Sequence, residues 1–179
     1  MNHEFHSLAT EPLVAKGTDG VKWAPETAGI EFELVPNAPT PAASRTLRLA
    51  QMRAMTRQFT GYDMYPQEGT SRKETERELR VLPTPLYRYS EDESKPVSSD
   101  GAVFGFFFDW DPEILLVIEI RSTDDGPRWH YGVGRVDNKP LRLEYNGADV
   151  WTKPGDDFGS PRSKYYCTFG VTTRPNESK

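Results

Sequence analysis

The chain has little of several features that would define its class. It contains one cysteine, Cys167, and three histidines in 179 residues. A single thiol cannot form an internal disulfide and excludes a multi-cysteine zinc site. No run of about eighteen apolar residues is present, so the sequence predicts no membrane-spanning helix. The N-terminus has neither a basic start nor an apolar core, so we do not expect a signal peptide and interpret the chain as given as cytoplasmic.

Basic residues are also fewer than acidic ones, 22 against 27, which gives a net charge of −5. Such a surface repels other polyanions, and the sequence therefore argues against nucleic acid as a partner. Turn-forming residues are plentiful, with 15 prolines and 14 glycines. This composition is typical of many short elements rather than of a helical bundle.

The most apolar stretch of the chain covers residues 100–121. Two runs of about seven residues, 102–108 and 114–120, are rich in aromatic and β-branched side chains, which favours strands over helices. A short acidic connection, residues 109–113, joins them. Since both faces of each run are apolar, we expect a β-hairpin that is covered on both sides at the centre of the core.

One helix is predicted, over residues 42–59, directly after a proline-rich linker at residues 36–41. Apolar side chains recur there at spacings of three and four, which places them on one helical face. Further apolar side chains lie roughly opposite, and the basic residues have no acidic neighbour on the helix. The first face comprises Leu49, Met52, Met55 and Phe59, the opposite side Leu47, Ala50 and Ala54, and the basic residues Arg45, Arg48, Arg53 and Arg57.

Alternation of apolar and polar residues in other segments predicts an α+β fold made mostly of antiparallel β-structure. We expect about six to eight strands in a twisted sheet or partly open barrel, with the one amphipathic helix packed across it. Gly132 and Gly134, together with Gly105, are expected to leave a bare strip for the close approach of the helix or of a bulky aromatic side chain.

Residues 4–25 resemble residues 130–154, which indicates an internal repeat. Both segments contain an aromatic near the start, a Pro-Leu pair, an Asx-Gly pair expected to form a turn, and a tryptophan, and in both the proline and the tryptophan are eleven positions apart. Hairpins commonly share these residue types, but the kept order and spacing favour duplication. The matching residues are Phe5 and Tyr131, Pro12 and Pro140, Asp19-Gly20 and Asn146-Gly147, and Trp23 and Trp151.

The repeat predicts how the chain is organised. We expect residues 1–35 to be a partial first repeat that contributes strands, residues 36–60 to be the linker and helix, and residues 61–179 to be the main β-rich domain, together one compact unit. The second repeat unit follows the hairpin of residues 100–121, whereas the first has no such hairpin ahead of it. We therefore expect the chain to be truncated at its N-terminus.

Several motifs resemble those of a family of uncharacterised bacterial proteins, and the similarity covers roughly residues 3–154. Members of that family are longer, with an added upstream strand region and often an export signal, so the resemblance implies a truncated chain and export of the full-length protein. The family has no established activity, so the resemblance implies no catalytic residue. Its members have smaller or amide residues in place of Asp109-Trp110. The motifs are HEFHSLA, RLAQMRAMTRQFT, LRVLPTPLYRY, DGAVFGFFFDWDPEILLVIEIR, RWHYGVGRV and Val150-Trp151.

Acidic side chains of the hairpin are the first candidates for chemistry. Asp109, Asp111 and Glu113 form a D-x-D-x-E run that could hold calcium, but it lacks the glycine and the loop length of an EF-hand. Acidic residues in such a turn commonly serve turn formation and solubility. Glu119 is flanked by apolar residues, so if it is buried it needs a cationic partner. The candidates for that partner are Arg88, Arg135 and the arginines of the helix.

The histidines and the cysteine do not show the patterns of a metal site or a reactive thiol. His3 and His6, three positions apart, would point to opposite faces of a strand, and the distant His130 adds no spacing typical of a metal site. Cys167 alternates with aromatic residues on an apolar strand face, where a thiol is typically a core residue. We predict no metal, no cofactor and no catalytic residue.

Aromatic side chains near strand ends remain as candidates and are expected to be exposed, since such residues stack on sugar rings or anchor protein partners. The leading hypothesis is a non-catalytic binding or structural module for a protein or polysaccharide partner, in an oligomeric state that the sequence does not indicate. The alternatives are a carrier that encloses a small apolar ligand in an internal cavity and a hydrolase in which two of the four hairpin carboxylates converge. The candidate ligand-binding residues are Trp110, Trp129, Trp151, Tyr87 and Tyr89.

Overall fold

The computed structural model describes residues 2–5, 13–17, 20–27, 30–66, 74–89, 100–155 and 166–169. Contacts between residues divide the chain into two units. One comprises Met1–Ile30 and Phe158–Lys179, and the other comprises Glu31–Asp157. The linker and the helix therefore belong to the same unit as most of the β-rich segment.

The described residues form one helix and fourteen strands, which are numbered in chain order. The helix is α1 (Arg45–Thr56). The strands are β1 (Asn2–Phe5), β2 (Ala15–Gly17), β3 (Gly20–Trp23), β4 (Phe32–Leu34), β5 (Phe59–Pro66), β6 (Glu74–Glu78), β7 (Arg80–Val81), β8 (Tyr87–Tyr89), β9 (Gly101–Phe108), β10 (Asp111–Thr123), β11 (Gly126–Arg135), β12 (Leu141–Tyr145), β13 (Ala148–Lys153) and β14 (Tyr166–Phe169).

Two larger sheets build the second unit, and all of their pairings are antiparallel. The six-stranded sheet has the order β4-β11-β10-β9-β7, with β8 also pairing with β9. The four-stranded sheet has the order β13-β12-β5-β6. In the first unit, β1 pairs with β14 and β2 pairs with β3. The α+β prediction with mostly antiparallel strands is confirmed, and the strands form open sheets rather than a closed barrel.

The predicted central hairpin is confirmed. β9 and β10 pair with Phe104 opposite Leu116 and Ala102 opposite Ile118, and these four side chains are fully buried. Val117, which points to the other face of the sheet, is 1% exposed, so both faces of the hairpin are covered at its centre. We call the face of the six-stranded sheet that carries Phe104 and Leu116 the inner face, and the face that carries Val117 the outer face.

The four-stranded sheet packs against the inner face. Gly61 of β5 lies so close to it that a Cβ atom would come within 2.9 Å of the Phe106 ring. On the same side, the ring centroid of Phe59 lies 5.2 Å from that of Tyr131 and 4.8 Å from that of Tyr145. One apolar core therefore fills the space between the two sheets.

The helix is shorter than predicted. It ends at Thr56, whose hydroxyl donates to the Met52 carbonyl, and Phe59 already belongs to β5. Met52 and Met55 are buried in the core beside β9 and β10, as their spacing predicts. Leu47, on the opposite side, is 58% exposed. In the part of the chain that the structure describes, no helix is long and apolar enough to cross a membrane.

Glycines on the outer face leave room for neighbouring side chains. A Cβ atom at Gly105 would come within 3.0 Å of Leu86. Gly132 lies opposite Phe32 of the edge strand β4. At Gly105 the nearest neighbour is the ring of Phe107, a bulky aromatic as expected, whereas the helix packs on the inner face and does not approach these glycines.

The two hairpins of the predicted repeat have the same register. Their ladders correspond pair for pair at a constant offset of 128 residues (151 − 23), and both shift by one residue after the pair that contains the tryptophan. Gly20 belongs to β3, so the expectation that it is a turn residue is wrong, and Asp19 lies outside the described residues. The matching pairs are Ala15–Trp23 and Leu143–Trp151, Lys16–Val21 and Glu144–Asp149, and Gly17–Gly20 and Tyr145–Ala148.

Candidate binding site

The structure places the five candidate aromatic residues at separate positions. Trp110 is 90% exposed at the tip of the β9–β10 hairpin, and Tyr87 is 63% exposed on β8. Trp129 is 1% exposed and packs in the core, so the expectation of an exposed residue is wrong there. Trp151 is half-buried against the same core. Of the five, Tyr87 and Tyr89 come together, because their rings stack with centroids 6.3 Å apart and planes 28° from parallel.

Strand β8 places both tyrosines on the outer face. They are two positions apart along an extended strand, so their side chains point to the same side. β8 pairs with β9 so that Tyr87 lies opposite Val103 and Tyr89 lies opposite Gly101. A Cβ atom at Gly101 would overlap the Tyr89 ring and hydroxyl, so the ring lies across the bare glycine backbone. Gly101 is therefore what allows Tyr89 to reach β10.

Charged side chains continue the site from Tyr89 across the sheet. The Tyr89 hydroxyl donates a hydrogen bond to Oε2 of Glu119 on β10. Nε of Arg121 donates to the other carboxylate oxygen, Oε1, at 2.7 Å. The Arg121 guanidinium lies 3.7 Å from the ring centroid of Phe32 on β4, a cation–π contact. We call these residues, Tyr87, Tyr89, Glu119, Arg121 and Phe32, the tyrosine strip.

The partner of Glu119 is not one of those expected from the sequence. Arg88 donates instead to Asp100, and Arg135 donates to backbone carbonyls. Arg121 lies two positions from Glu119 on the same strand and therefore on the same outer face. The helix packs on the inner face, so its arginines lie on the other side of the sheet.

The tyrosine strip carries both charges but has no net charge. Burial raises the pKa of Tyr89, and the hydrogen bond to Glu119 raises it further, so the hydroxyl stays protonated and acts as a donor. The side chains of Glu119 and Arg121 form an ion pair and are 15% and 33% exposed. The strip can thus offer an exposed aromatic ring, a fixed carboxylate and a guanidinium to one ligand.

A second polar cluster lies between the two sheets. The β9–β10 register shifts between Pro112 and Ile114, which makes Glu113 the extra residue of a β-bulge. The bulge turns its side chain inward, where it is 3% exposed. Asp63 of β5, fully buried, faces the same space. We call the group the carboxyl cluster; its members are Glu113, Asp63, Asp137, Lys139 and Arg77.

Two cations neutralise the carboxyl cluster. Nε of Arg77 donates to Oδ1 of Asp63 at 3.0 Å, and Nη2 donates to Oδ2 of the same carboxylate. Lys139 pairs with Asp137, and its Nζ atom lies 3.6 Å from Oε1 of Glu113 and 4.0 Å from Oδ2 of Asp63. Among the described residues, two positive charges therefore face three carboxyl groups, which leaves one carboxyl group in excess.

That carboxyl group is Glu113. Burial raises its pKa to about 8, and hydrogen bonding to Asp137 contributes to the rise. Burial alone would raise the pKa of Asp137 as well, but the hydrogen bonds from Glu113 and Lys139 lower it to about 2. At neutral pH a protonated Glu113 therefore donates to an ionised Asp137. The Glu113 side chain is almost fully buried and is held by Asp137 and Lys139, which is typical of a structural group.

The hairpin carboxylates do not form the pair that a hydrolase would need. Asp109 and Asp111 are exposed at the hairpin tip, whereas Glu113 is buried between the sheets. Glu119 lies six residues further along β10, which is about 20 Å in a strand. Sequence reasoning missed Asp137 and Asp63, because a pairing between strands distant in sequence leaves no local pattern.

A buried ion triad joins the helix to the six-stranded sheet. Asp100 is fully buried and accepts hydrogen bonds from Nε of Arg48 at 2.6 Å and from Nη2 of Arg88 at 2.7 Å. The remaining donors reach backbone carbonyls, from Arg48 to Ala42 and from Arg88 to Arg45. These contacts connect α1 and the residues before it with β8 and with Asp100, which precedes β9, so the triad is structural.

A surface groove of about 500 Å³ lies beside β4. Trp129 forms part of its wall, and its indole Nε1 has no hydrogen-bond partner among the described residues. The exposed residues Leu34, Pro36 and Arg128 also line it. Because these residues are open to solvent, the groove is not an enclosed cavity of the kind that an apolar-ligand carrier requires.

Metal ligands are not grouped in the part of the chain that the structure describes. There, no three His, Cys, Asp or Glu side chains are placed so that they could hold a metal ion. His6 lies outside the described residues, and the side chains of His3 and Cys167 are not among those described. His130 is half-buried, and its Nδ1 lies 3.2 Å from the Arg128 carbonyl oxygen.

Comparison of the chain with protein-family models, with curated proteins and with solved structures finds no match. The resemblance to a family of uncharacterised bacterial proteins therefore stays a prediction. The tyrosine strip combines an exposed aromatic ring with polar groups that are fixed by hydrogen bonds.

Proposed function

We propose that the protein is a non-catalytic binding module that holds a segment of a polysaccharide on the tyrosine strip. The observation that supports this proposal is the exposed ring of Tyr87, which is 63% exposed and stacked on Tyr89. Exposed aromatic rings present an apolar face, and the C–H face of a sugar ring packs well on such a surface. A ring fixed by stacking also loses little conformational entropy when a ligand binds.

Polar groups next to the rings suit the hydroxyl groups of a sugar. Glu119 accepts hydrogen bonds, and Arg121 has terminal nitrogens beyond the Nε that pairs with Glu119. The opposite charges of Glu119 and Arg121 lie side by side and cancel, so the strip has no net charge and suits a neutral ligand. From β8 to β4 the strip crosses five neighbouring strands, about 19 Å, which is long enough for a chain of several sugar rings.

The same contacts favour binding over catalysis. Glu119 accepts hydrogen bonds from both Tyr89 and Arg121, so its oxygens are held by the protein. A general acid or base needs a carboxyl group that is free to exchange a proton with the substrate. The glutamate therefore orients the site and does not carry out chemistry.

The proposal is tested by affinity electrophoresis through gels that contain one neutral polysaccharide each, such as cellulose derivatives, xylan, mannan or β-glucans. We expect the wild type to be retarded by at least one of them and Tyr87→Ala to lose most of the retardation. Trp110→Ala is the matched control, because Trp110 is an exposed aromatic outside the strip. Retardation by none of the gels, or equal loss in both variants, would contradict the proposal.

A further inference from the structure

One side of helix α1 has no protein partner among the described residues. Leu47, Ala50 and Ala54 lie at positions i, i+3 and i+7, which places them in one row along the helix. All three are exposed, and Leu47 is 58% exposed. We call this row the helix seam. Two small side chains beside one large one let another helix approach closely, because the seam has no bulk except at Leu47.

Arginines form a second row beside the helix seam. Arg53 and Arg57 are four positions apart and lie along the flank of the helix next to the seam, about 6 Å apart along its axis, whereas Arg45, nine positions before Ala54, lies on the opposite side of the helix. Among the described residues, none of these guanidiniums has an ion-pair partner, and Nε of both Arg45 and Arg53 is buried without a hydrogen-bond partner. The fourth arginine, Arg48, differs because it is paired with Asp100.

This unpaired charge stands out in a chain whose net charge is −5. The helix has no acid in its first turn, so its own sequence cannot neutralise the flank. A half-buried guanidinium without a partner carries a desolvation cost that an acidic group from outside would remove. An external carboxylate is the natural complement.

The chemistry of the seam narrows the class of partner. A single-stranded nucleic acid would need aromatic side chains on which its bases stack, and the exposed side of α1 carries none. A second copy of this chain would bring one arginine row against another, which costs energy through repulsion. An acidic amphipathic helix offers both an apolar row for the seam and carboxylates for the flank.

We infer that the seam and the arginine flank together form a docking surface for an acidic amphipathic helix of a partner protein. Leucines or alanines of that helix pack on Leu47, Ala50 and Ala54, and its carboxylates form charge-assisted hydrogen bonds with Arg53 and Arg57. A single helix buries a small area, so the complex is transient and depends on salt. The surface is independent of the tyrosine strip, which lies on the outer face of the sheet.

The experiment uses the full chain and a fluorescein-labelled acidic peptide of about 20 residues, with leucines in one row and glutamates beside them. Fluorescence anisotropy measures the Kd. We expect binding to the wild type and a Kd at least about 10-fold weaker for Arg53→Glu/Arg57→Glu. The control Lys16→Glu/Lys153→Glu has the same net charge and reverses exposed lysines outside the helix, so it should bind like the wild type.

Two further measurements separate loss of the docking surface from misfolding of a variant. A peptide with lysine in place of each glutamate should prefer the Arg53→Glu/Arg57→Glu variant over the wild type. Leu47→Asp, at an exposed position, should weaken acidic-peptide binding even if the arginine variant does not fold. No binding to the wild type, equal Kd values for the arginine and lysine variants, or equally tight binding of single-stranded DNA would overturn the inference. Tyr87→Ala should leave peptide binding unchanged.

Discussion

The carboxyl group of Glu113 donates a hydrogen bond to Asp137, and the two pKa values lie on opposite sides of neutrality, at about 8 and about 2. The pair is held at the point where a β-bulge turns Glu113 into the space between the sheets. One proton is therefore part of the folded structure at neutral pH.

The first prediction concerns the pH dependence of stability. The folded-state pKa of Glu113, about 8, lies above the ordinary value of 4.5 for a glutamate, so between these values the folded state binds more protons than the unfolded state. The contribution of protonated Glu113 to the stability of the folded protein is complete below pH 4.5 and is lost as the pH rises to about 8. Asp137 has a lowered pKa, so its stabilisation is lost only in acid, outside this window.

Urea unfolding from pH 5 to pH 9 checks this prediction. We expect the free energy of unfolding of Glu113→Gln to vary less over this range than that of the wild type, by on the order of 1–3 kcal/mol. Asp111→Asn, which changes an exposed carboxylate two positions away, should keep the wild-type dependence. If the free energy of unfolding varied with pH equally in Glu113→Gln and in the wild type, Glu113 would not be the group that holds the proton.

The second prediction concerns the buried triad. Asp100→Asn removes the charge that compensates both Arg48 and Arg88, so two buried guanidiniums lose their counter-ion. The expected loss is about 3–5 kcal/mol in the free energy of unfolding. Asp109→Asn is the matched control at an exposed site with a positive φ of 48°, which asparagine tolerates, so it should cost less than about 0.5 kcal/mol. Similar stability of the two variants would mean that the triad is not part of the core.

The third prediction tests how closely the two sheets pack. Gly61→Ala adds a methyl group 2.9 Å from the Phe106 ring, which the core must move to accommodate. We expect a loss of about 1–3 kcal/mol, measured by denaturant unfolding. Gly155→Ala serves as the control, because its nearest neighbours lie 3.4 Å away, in ordinary contact. An unchanged midpoint for Gly61→Ala would mean that the sheets lie further apart than described.

The fourth prediction uses the equal registers of the two hairpins. Asn146 and Gly147 connect β12 and β13 with φ values of 50° and 80°, as a type I′ turn requires. The equivalent positions between Gly17 and Gly20 hold Thr18 and Asp19. Replacing them with Asn-Gly should stabilise the β2–β3 hairpin and slow amide hydrogen exchange at Lys16 and Val21. Unchanged or faster exchange would count against equivalence of the two hairpins.

Local patterns predicted the elements well. The central hairpin and the buried Met52 and Met55 follow from apolar runs and from helical spacing, which are properties of neighbouring residues. The helix end at Thr56 was missed by three residues, because Phe59 fits the helical spacing and is taken instead by its strand pairing with Tyr145. Tertiary pairing overrode a local preference there.

The site was predicted only in part. Tyr87 and Tyr89 were among the candidates, because alternation on a strand already places them on one side. Their connection to Glu119 depends on β8 pairing with β9 at Gly101, a register that no local pattern reveals. The carboxyl cluster was missed for a similar reason, since a bulge at Glu113 cannot be read from the alternation of the strand around it.

The central claim is that Tyr87 and Tyr89 contact a saccharide. NMR spectra of the tyrosine rings, recorded while a short oligosaccharide from the retarding polysaccharide is added to the wild type, test it most directly. We predict shift changes at the ring signals of Tyr87 and Tyr89, with those of Tyr62 and Tyr145 in the four-stranded sheet unmoved. Shift changes at Tyr62 or Tyr145 with Tyr87 unmoved would contradict the claim.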